Sequence, residues 1–316
     1  MRIDRPQLKQ MARENIAGAH PSARLVTLVY ILLTTVLTGV IQTFMGSPMQ
    51  TVTELIAQGY DPQWAIYATF STVSLPLVAF VSILLALYNS VMSFGYVAYC
   101  LRLSHNQEHA GYGTLLEGFS MVGRVILTHI LVAVFTFLWG LALSIPFVII
   151  GGLVIAFGGA LGVLLFIVLY IAFFVGVLYF ALRYVMADYC LFDNPEGGCL
   201  EAISTSKELM QGRKWEYVVL GLSFLGWLLL VLVLSGIGGA IGSAIGGIGG
   251  SEILGAWIGL IVGELVALPL NLWLTPYMGC TFAHYYNACS GNGNQPENRQ
   301  DPWGEAPSSG NSFPRL

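Results

Sequence analysis

Long apolar runs separated by short polar segments dominate the chain. The longest run covers residues 125–182, which contain no Lys, Arg, Asp or Glu. As one helix it would be about 87 Å long, nearly three times the roughly 30 Å hydrocarbon core of a bilayer. It must therefore fold back on itself, and the pattern predicts a polytopic, all-α membrane protein.

Six transmembrane helices follow if each span needs about 20 apolar residues between polar or Gly/Pro breaks. We predict them near residues 25–46, 70–102, 122–149, 157–183, 217–238 and 260–286. In the longest run, glycines at 151–152 and 158–159 predict the turn. The expected organisation is a surface helix at 1–23, a six-helix domain at 24–289, and a tail at 290–316 that its Gly, Asn, Pro and Ser content predicts to be disordered.

The polar segments between spans predict short amphipathic helices at the membrane surface. In DNPEGGCLEAISTSKELMQGRKWEY (193–217), Pro195 indicates a turn, and helix formers follow from Gly198 until Gly212. We expect one broad apolar face on this helix, formed by Leu200, Ala202, Ile203, Ser206, Leu209 and Met210. Similar helices are expected before span one and, at 113–124, before span three, each lying along the inner membrane surface or packing under the bundle.

A weak internal repeat accompanies these helices. The even-numbered spans end alike, as YVAYCL (96–101), YVMADYCL (184–191) and YYNAC (285–289). We interpret the chain as three possible units, each a surface helix followed by a membrane hairpin.

Charge adds an expected orientation. Charged residues make up 9% of the chain, against about 25% in a soluble domain. All 13 Lys and Arg fall on one side of the predicted spans, while the opposite loops hold only Glu54, Asp61 and Glu252. The positive-inside rule therefore predicts cytoplasmic N- and C-termini. A net charge of −4 without a large basic patch argues against a nucleic-acid partner.

The cysteines and the missing motifs predict neither a cofactor nor catalysis. Five cysteines, an odd number, lie on the predicted cytoplasmic side and argue against a disulfide framework. A zinc site would have to come from Cys190, Cys199, Cys280, His284 and Cys289, whose spacings match no compact metal motif. We therefore expect no metal, no catalytic residues and a protein that is not an enzyme.

Residues 186–227 carry a longer pattern. It comprises Asn194-Pro195, a Leu-Glu-Ala helix start, a Ser-x-Glu-Leu-Met-x-Gly-x-Lys-Trp core at 206–215, and Leu-Ser-Phe-Leu-Gly-Trp at 222–227. This pattern resembles the signature region of the bacterial integral-membrane family catalogued as domain of unknown function 975. The start of the chain (Arg-x-x-Leu-Lys-x-x-Ala-Arg, 5–13) and TPYMGCTFAHYY (275–286) are also similar to that family. The Gly-rich stretch 236–250 and the tail depart from it. The resemblance implies the plasma membrane of a bacterium, favours a Gram-positive one, and implies no activity.

Few polar residues lie inside the predicted spans. Glu264 is the one acid expected within a span, with Asn271 two turns further along the same face. An intramembrane carboxyl is by default a functional candidate, although span six could also begin near Glu264 and leave it at the outer interface. Asn89 and His129 are more simply interpreted as interhelical hydrogen-bonding groups than as ligands.

Two further groups of residues are candidates for contacts. Glycines that recur every four residues predict close helix packing in a tight hairpin between spans five and six. They are Gly238, Gly242, Gly246 and Gly250, and Gly255, Gly259 and Gly263. Residues suited to anionic lipid headgroups are Arg183, Lys207, Arg213, Lys214 and Trp215.

Three functions remain open from the sequence. The favoured hypothesis is a non-enzymatic accessory, scaffolding or envelope-maintenance component that binds the lipid bilayer and either a membrane-protein partner or itself. The second is a transporter or lipid-handling permease with Glu264, Asn271 and Asn89 in its path. The third is an intramembrane enzyme. Scarcity of polar residues in the spans favours the first, or a lipidic substrate.

Overall fold

The structure, a computed structural model, describes residues 5–45, 48–72, 75–105, 110–248 and 252–291. These residues are almost wholly helical, and no strand occurs among them. The predicted disordered tail lies outside the described residues from residue 292 onward, as does Gly250.

Eight α-helices form the described part of the first half of the chain. A π-helical turn, Leu32–Val36, joins α2 to α3, so that the first span is continuous. The helices are α1 Arg5–Gly18, α2 Ala23–Ile31, α3 Leu37–Met45, α4 Pro48–Ala57, α5 Pro62–Thr72, α6 Leu75–Ser104, α7 Tyr112–Leu115 and α8 Glu117–Ser120.

The second half contains the longest helices. A 3₁₀ turn, Leu182–Tyr184, connects α9 to α10. The helices are α9 Val122–Ala181, α10 Ala187–Asp193, α11 Gly198–Leu209, α12 Lys214–Leu222, α13 Leu225–Gly247 and α14 Glu252–Ser290.

Within the described ranges, six helical stretches are long and apolar enough to cross a membrane. They are Ala23–Ile41, Pro76–Ser104, Val122–Gly159, Leu161–Asp193, Leu225–Gly247 and Trp257–Ser290. The prediction of an all-α chain with six membrane helices is confirmed.

The turn predicted at Gly158–Gly159 is confirmed, but the predicted end of span three is wrong. The span does not stop at residue 149, because α9 continues through Gly151 to Gly159, whose φ of 50° and ψ of −137° turn the chain back. Gly151 instead gives room to the facing helix, since a Cβ there would lie 3.0 Å from the Phe166 ring. Positive φ is readily adopted by glycine alone, and so the hairpin turns at Gly159.

The predicted position of span five is also wrong. The chain forms a separate helix, α12, and the span begins only at Leu225. At the break, the Ser223 hydroxyl donates to the Leu220 carbonyl (2.5 Å) and the Phe224 side chain is fully buried. The glycines expected near the outer turn are therefore inside α13, which runs to Gly247.

Two surface segments differ from their predictions. The single helix expected at 113–124 is two short helices, α7 and α8, which meet at Leu116 and lie in close contact with α6. A Cβ on Gly118 would clash with the Val91 carbonyl, and one on Gly95 with the Leu115 carbonyl. In α11, Ala202, Ile203 and Ser206 are buried as expected, but Leu200 is exposed.

Buried residues concentrate at one end of the bundle, which we call the basic end and define by Arg102, Arg124, Arg183 and Arg213. Here α1, α7, α8 and α10 pack around the ends of α6 and α14, α11 packs on α10 and α9, and α12 meets α14 through Tyr217. The largest fully buried side chains lie in this half: Met92, Phe94, Tyr99, Leu101, Leu115, Met186, Leu191, Ile203, Met210, Phe224, Tyr277 and Tyr285. The opposite halves of the spans are largely exposed, most of all in α9.

The surface helices lie against span ends in a cyclic order. α7 and α8, from the second predicted unit, pack on α6 of the first, and α11 of the third packs on α10 of the second. α1 of the first unit packs on α14 of the third. The N-terminal helix thus closes a ring of three contacts at the basic end.

Candidate functional site

The basic end contains the principal polar network among the described residues. Its most buried charge is Arg102, at the end of α6, with a side chain 6% exposed. Nη1 of Arg102 lies 2.8 Å from Oε1 of Glu117 on α8, and the guanidinium also lies over the Phe192 ring, 5.8 Å from its centroid. The pair therefore holds α8 on α6, and α10 covers it.

A second set of polar side chains joins α1, α6 and α14. The Asn15 amide donates to the Leu103 carbonyl (2.7 Å) and lies 3.4 Å from Nε2 of His284. The Asn287 amide donates to the Ser104 hydroxyl (2.8 Å). Because His284, Asn287 and Ser104 are all buried, these bonds satisfy groups that would otherwise destabilise the interface.

The Asp-Asn-Pro segment is the third part of the network. α10 ends at Asp193, whose carboxylate accepts from the Tyr286 hydroxyl (2.8 Å), and Arg124 donates to the Pro195 carbonyl (2.6 Å). The Asn194 side chain accepts from the Gly197 N–H (3.2 Å) and donates to Glu201 (3.1 Å). The expected turn is present, and it connects the third, fourth and sixth spans.

Asp188 was missed by the sequence interpretation, which took Glu264 to be the one acid within a span. Asp188 lies in the fourth span, and its Oδ2 is 3.5 Å from Nε2 of His129 in the third. His129 Nδ1 faces the Val125 carbonyl at 2.9 Å and must carry a hydrogen, since a carbonyl only accepts. The available signal was an aspartate enclosed by apolar residues in MADYCLF.

The structure does not bring Glu264 and Asn89 into a common site. The Asn89 amide donates to the Thr38 hydroxyl (3.1 Å), an interhelical bond to α3. Gly238 faces Gly263 across the hairpin, and this register puts Glu264 level with Ile237, near the middle of the 23-residue α13. Glu264 is nevertheless exposed on the outside of α14, and Asn271 is half-buried on the same side. Neither makes a hydrogen bond with the residues that the structure describes.

The predicted headgroup residues divide into three kinds. Arg213 donates to the Cys289 carbonyl at the end of α14 (3.0 Å) and so has a structural contact. Arg183 and Lys214 lie over aromatic rings of α9. Lys207 and Trp215 are exposed, the indole by 72%.

The Gly-rich helices make backbone-to-backbone contact. A Cβ on Gly242 would be 2.8 Å from Cα of Gly259, and one on Gly246 would be 2.6 Å from Cα of Gly255. A Cβ on Gly238 would likewise be 3.0 Å from Cα of Gly263. Six of the seven predicted glycines thus line one contact between α13 and α14, and Gly250 is not described.

Two charged or polar groups near the α12–α13 break have shifted pKa values. Nζ of Lys9 lies 4.4 Å from the Phe224 ring centroid and 3.5 Å from the Ser223 carbonyl. Burial there, together with the nearby Arg13 charge, lowers the pKa of Lys9. Burial raises the pKa of Tyr217, on α12, to about 12.

Among the described residues, the cysteines form no metal site and the clefts have no polar lining. All five cysteines are free and buried, and no group of three His, Cys, Asp or Glu side chains there could hold a metal ion. Two clefts, of about 180 and 270 Å³, lie between the two arms of α9. Their linings are apolar, with Pro146, Phe147, Leu169 and Phe173 around the first.

Six membrane-length helices and a packed polar layer at one end define a polytopic α-helical membrane protein. Residues 1–293 match the family described as "Protein of unknown function (DUF975)". The chain belongs to this family, and the resemblance noted in residues 186–227 is confirmed. No curated protein and no solved structure matches the chain.

Proposed function

We propose that this protein is a non-enzymatic accessory or scaffolding component of a bacterial plasma membrane, with its basic end and both termini in the cytoplasm. The proposal rests on one observation: polar side chains at the basic end bond to other helices of the bundle. Arg102, Asn15, Asn287 and Tyr286 each bond to another helix of the bundle. These bonds hold the helices of the basic end together as a rigid platform. The surfaces that remain available to a lipid or a partner protein are the exposed basic residues and the exposed spans.

The α9 hairpin is the surface best suited to a membrane-protein partner. In the most apolar 18-residue stretch of the third and of the fourth span only 6% of the residues are buried, against 22% in the corresponding stretches of the second and sixth. Helix association in lipid depends on van der Waals packing and interhelical hydrogen bonds rather than on exclusion of water. A long hairpin that its own bundle leaves uncovered therefore offers area for a second transmembrane protein.

Isolation in native-lipid particles tests this function. The protein is tagged and extracted with its surrounding membrane, and the co-purifying proteins and lipids are identified by mass spectrometry. The accessory role predicts a stoichiometric membrane-protein partner that is absent from particles of an unrelated tagged membrane protein expressed at the same level. Recovery of the protein without such a partner would overturn the proposal.

A second candidate, a transporter or lipid-handling permease, rests on one observation. Glu264 is level with the middle of α13 yet exposed, and a carboxyl at that depth requires a proton, water or a partner group. We favour the accessory role because Asn89 is bonded to Thr38 and does not extend a polar path from Glu264. Glu264→Gln tests the alternative: proton- or ion-coupled flux into vesicles that Glu264→Gln abolishes would support the permease, and flux unaffected by it would remove Glu264 from the path.

A further inference from the structure

Two cations lie on aromatic rings where the fourth span reaches the basic end. The guanidinium carbon of Arg183 is 5.6 Å from the Trp139 ring centroid and 5.5 Å from that of Phe180. Nζ of Lys214 lies 3.5 Å from the Tyr179 ring centroid and donates to the Tyr179 carbonyl (3.2 Å). The cations thus occupy neighbouring positions, since the rings of Tyr179 and Phe180 are adjacent, 5.7 Å apart and edge to face.

Arg183 and Lys214 differ from the three bonded arginines of this end in that most of their donors have no protein oxygen as partner. Arg102 faces a carboxylate, and Arg124 and Arg213 donate to carbonyls. The Arg183 guanidinium makes no hydrogen bond with the described residues, and Lys214 uses one of three donors. The rings fix both positions, because cations are attracted to aromatic faces, while most of the N–H groups remain available to a ligand.

The surface beside the two cations is apolar and belongs to the same span. Phe174, Val175 and Leu178 precede Tyr179 on α9, and all are exposed, Phe174 by 63%. The exposed Trp215 adjoins Lys214 in sequence. A ligand that meets both features has an anionic head and long hydrocarbon chains. Aromatic and basic residues at a span end are also those that lie at the headgroup layer.

We propose that Arg183 and Lys214 form a binding site for the phosphate of an anionic phospholipid, whose acyl chains lie along Phe174, Val175 and Leu178. The guanidinium supplies a planar fork of donors suited to phosphate, and the ammonium supplies a point charge. This inference deepens the proposed function, because it gives the platform a defined lipid at one site instead of a diffuse attraction along its rim.

The chain offers a matched control for the charge removed. Arg24 and Lys207 are exposed, lie on the same side of the spans, and make no ion pair with described residues. The variant R24Q/K207Q therefore removes the same two charges as R183Q/K214Q without touching the rings of α9. A diffuse electrostatic attraction would respond equally to both variants, whereas a defined site responds to one.

The experiment measures bound lipid by native mass spectrometry. Protein from nanodiscs of phosphatidylcholine with a minor fraction of phosphatidylglycerol is released, and the retained lipids are counted. We expect wild type to retain phosphatidylglycerol preferentially, R183Q/K214Q to bind it about thirtyfold more weakly, and R24Q/K207Q to resemble wild type. Thermal unfolding in detergent confirms that each variant is folded. If R183Q/K214Q does not fold, the single variant K214Q, which leaves Arg183 on its rings, is expected to lose about fivefold.

Three results would overturn the site. The first is an equal loss of bound phosphatidylglycerol in the two double variants, and the second is that wild type shows no preference for this lipid. The third is displacement of the lipid by inorganic phosphate at comparable affinity, which would indicate a soluble anion as ligand. The membrane-protein partner is scored separately in native-lipid particles. Loss of the lipid site with the partner retained would thus leave the accessory role intact, and a bound lipid without any partner would overturn that role alone.

Discussion

At the scale of single residues, the ion pair between Arg102 and Glu117 is unlike the rim charges. The Arg102 side chain is almost fully enclosed, whereas 27% of the Glu117 side chain is exposed. Removing one partner of such a pair leaves the other charge desolvated without compensation, which destabilises more than the pair itself contributes. The carboxylate is the partner that can be changed without opening a cavity in the core.

Glu117→Gln is therefore expected to lower the free energy of unfolding by about 2 kcal/mol. It keeps the volume of the side chain and removes only its charge. The measurement is unfolding in mixed micelles by added denaturing detergent, followed by circular dichroism. Glu208→Gln, an exposed change on α11, is the control. Equal stability of the Glu117 and Glu208 variants would contradict the role given to the pair.

Tyr217 gives the protein a dependence on alkaline pH. Burial favours its neutral phenol, so that its pKa is about 12 in the folded state, against about 10 when unfolded. Between these values the folded state keeps a proton that the unfolded state has lost. The stability from this group is fully present below pH 10 and falls as pH rises toward about 12.

Tyr217→Phe should remove this contribution to the slope, up to about 1.4 kcal/mol per pH unit in that window, while retaining the ring contacts with Phe282 and Tyr285. Unfolding free energies of wild type and variant at a series of alkaline pH values measure it. Tyr67→Phe removes an exposed phenol elsewhere, and a change of slope as large in that variant would refute the assignment to Tyr217.

At the scale of elements, the hairpin of α13 and α14 is held together by the absence of side chains. A Cβ on Gly242 would lie 2.7 Å from the Ile258 carbonyl oxygen, whereas one on Gly236 would meet nothing within 4 Å. Both glycines are in the same helix, so that intrinsic helix propensity affects them alike. The difference between them isolates the interhelical contact.

Gly242→Ala is expected to destabilise the protein by about 1–3 kcal/mol, because the two helices must move apart. Gly236→Ala should be neutral or slightly stabilising, since Ala is the better helix former. Thermal unfolding of both variants in one detergent measures the difference. A Gly236 variant as unstable as the Gly242 variant would show that helix propensity, and not close packing, explains the glycines.

The sequence predicts those features of the elements that the bilayer imposes, which are the number and the helical nature of the spans. Apolar length alone gave the number of spans, because a bilayer requires continuous helices of a minimum length. The ends of spans three and five were missed because Gly151 and Gly242 act through a facing helix, and the residue pattern of their own helix does not show that contact. The same cause hid Asp188, whose partner His129 comes from another span, whereas Asn89 was predicted as an interhelical hydrogen-bonding group and bonds to Thr38.

At the scale of the whole molecule, buried side-chain packing is distributed unevenly between the two ends. The basic end contains most of the buried side chains, while α4 and α5 at the opposite end contact chiefly each other. α1 also lies outside the membrane-length helices, but Leu8 and Ala12 are buried against the bundle. Hydrogen exchange should reveal this contrast between two helical segments that are both outside the spans.

We expect backbone amides of α1 to exchange at least tenfold more slowly than those of α4 and α5, because opening α1 requires the loss of buried contacts. Hydrogen–deuterium exchange with mass spectrometry in nanodiscs measures both segments in one sample. Asn15→Ala, which removes the bond to the Leu103 carbonyl, should speed exchange in α1 alone. Equal exchange of α1 and α4–α5 in wild type would contradict the packing of α1.

The position of α1 has a consequence for the order of events during biosynthesis. Asn15 and its neighbour His284 are 269 residues apart in the chain. At about 5–20 residues per second, the ribosome adds the second roughly 13–54 s after the first. Until α13 and α14 are made, α1 lacks the helix with which it makes most of its contacts, and Lys9 lacks the Phe224 ring that will later cover it. Helix α1 thus reaches its final place only long after it is translated, and its docking reports that the sixth span has been inserted.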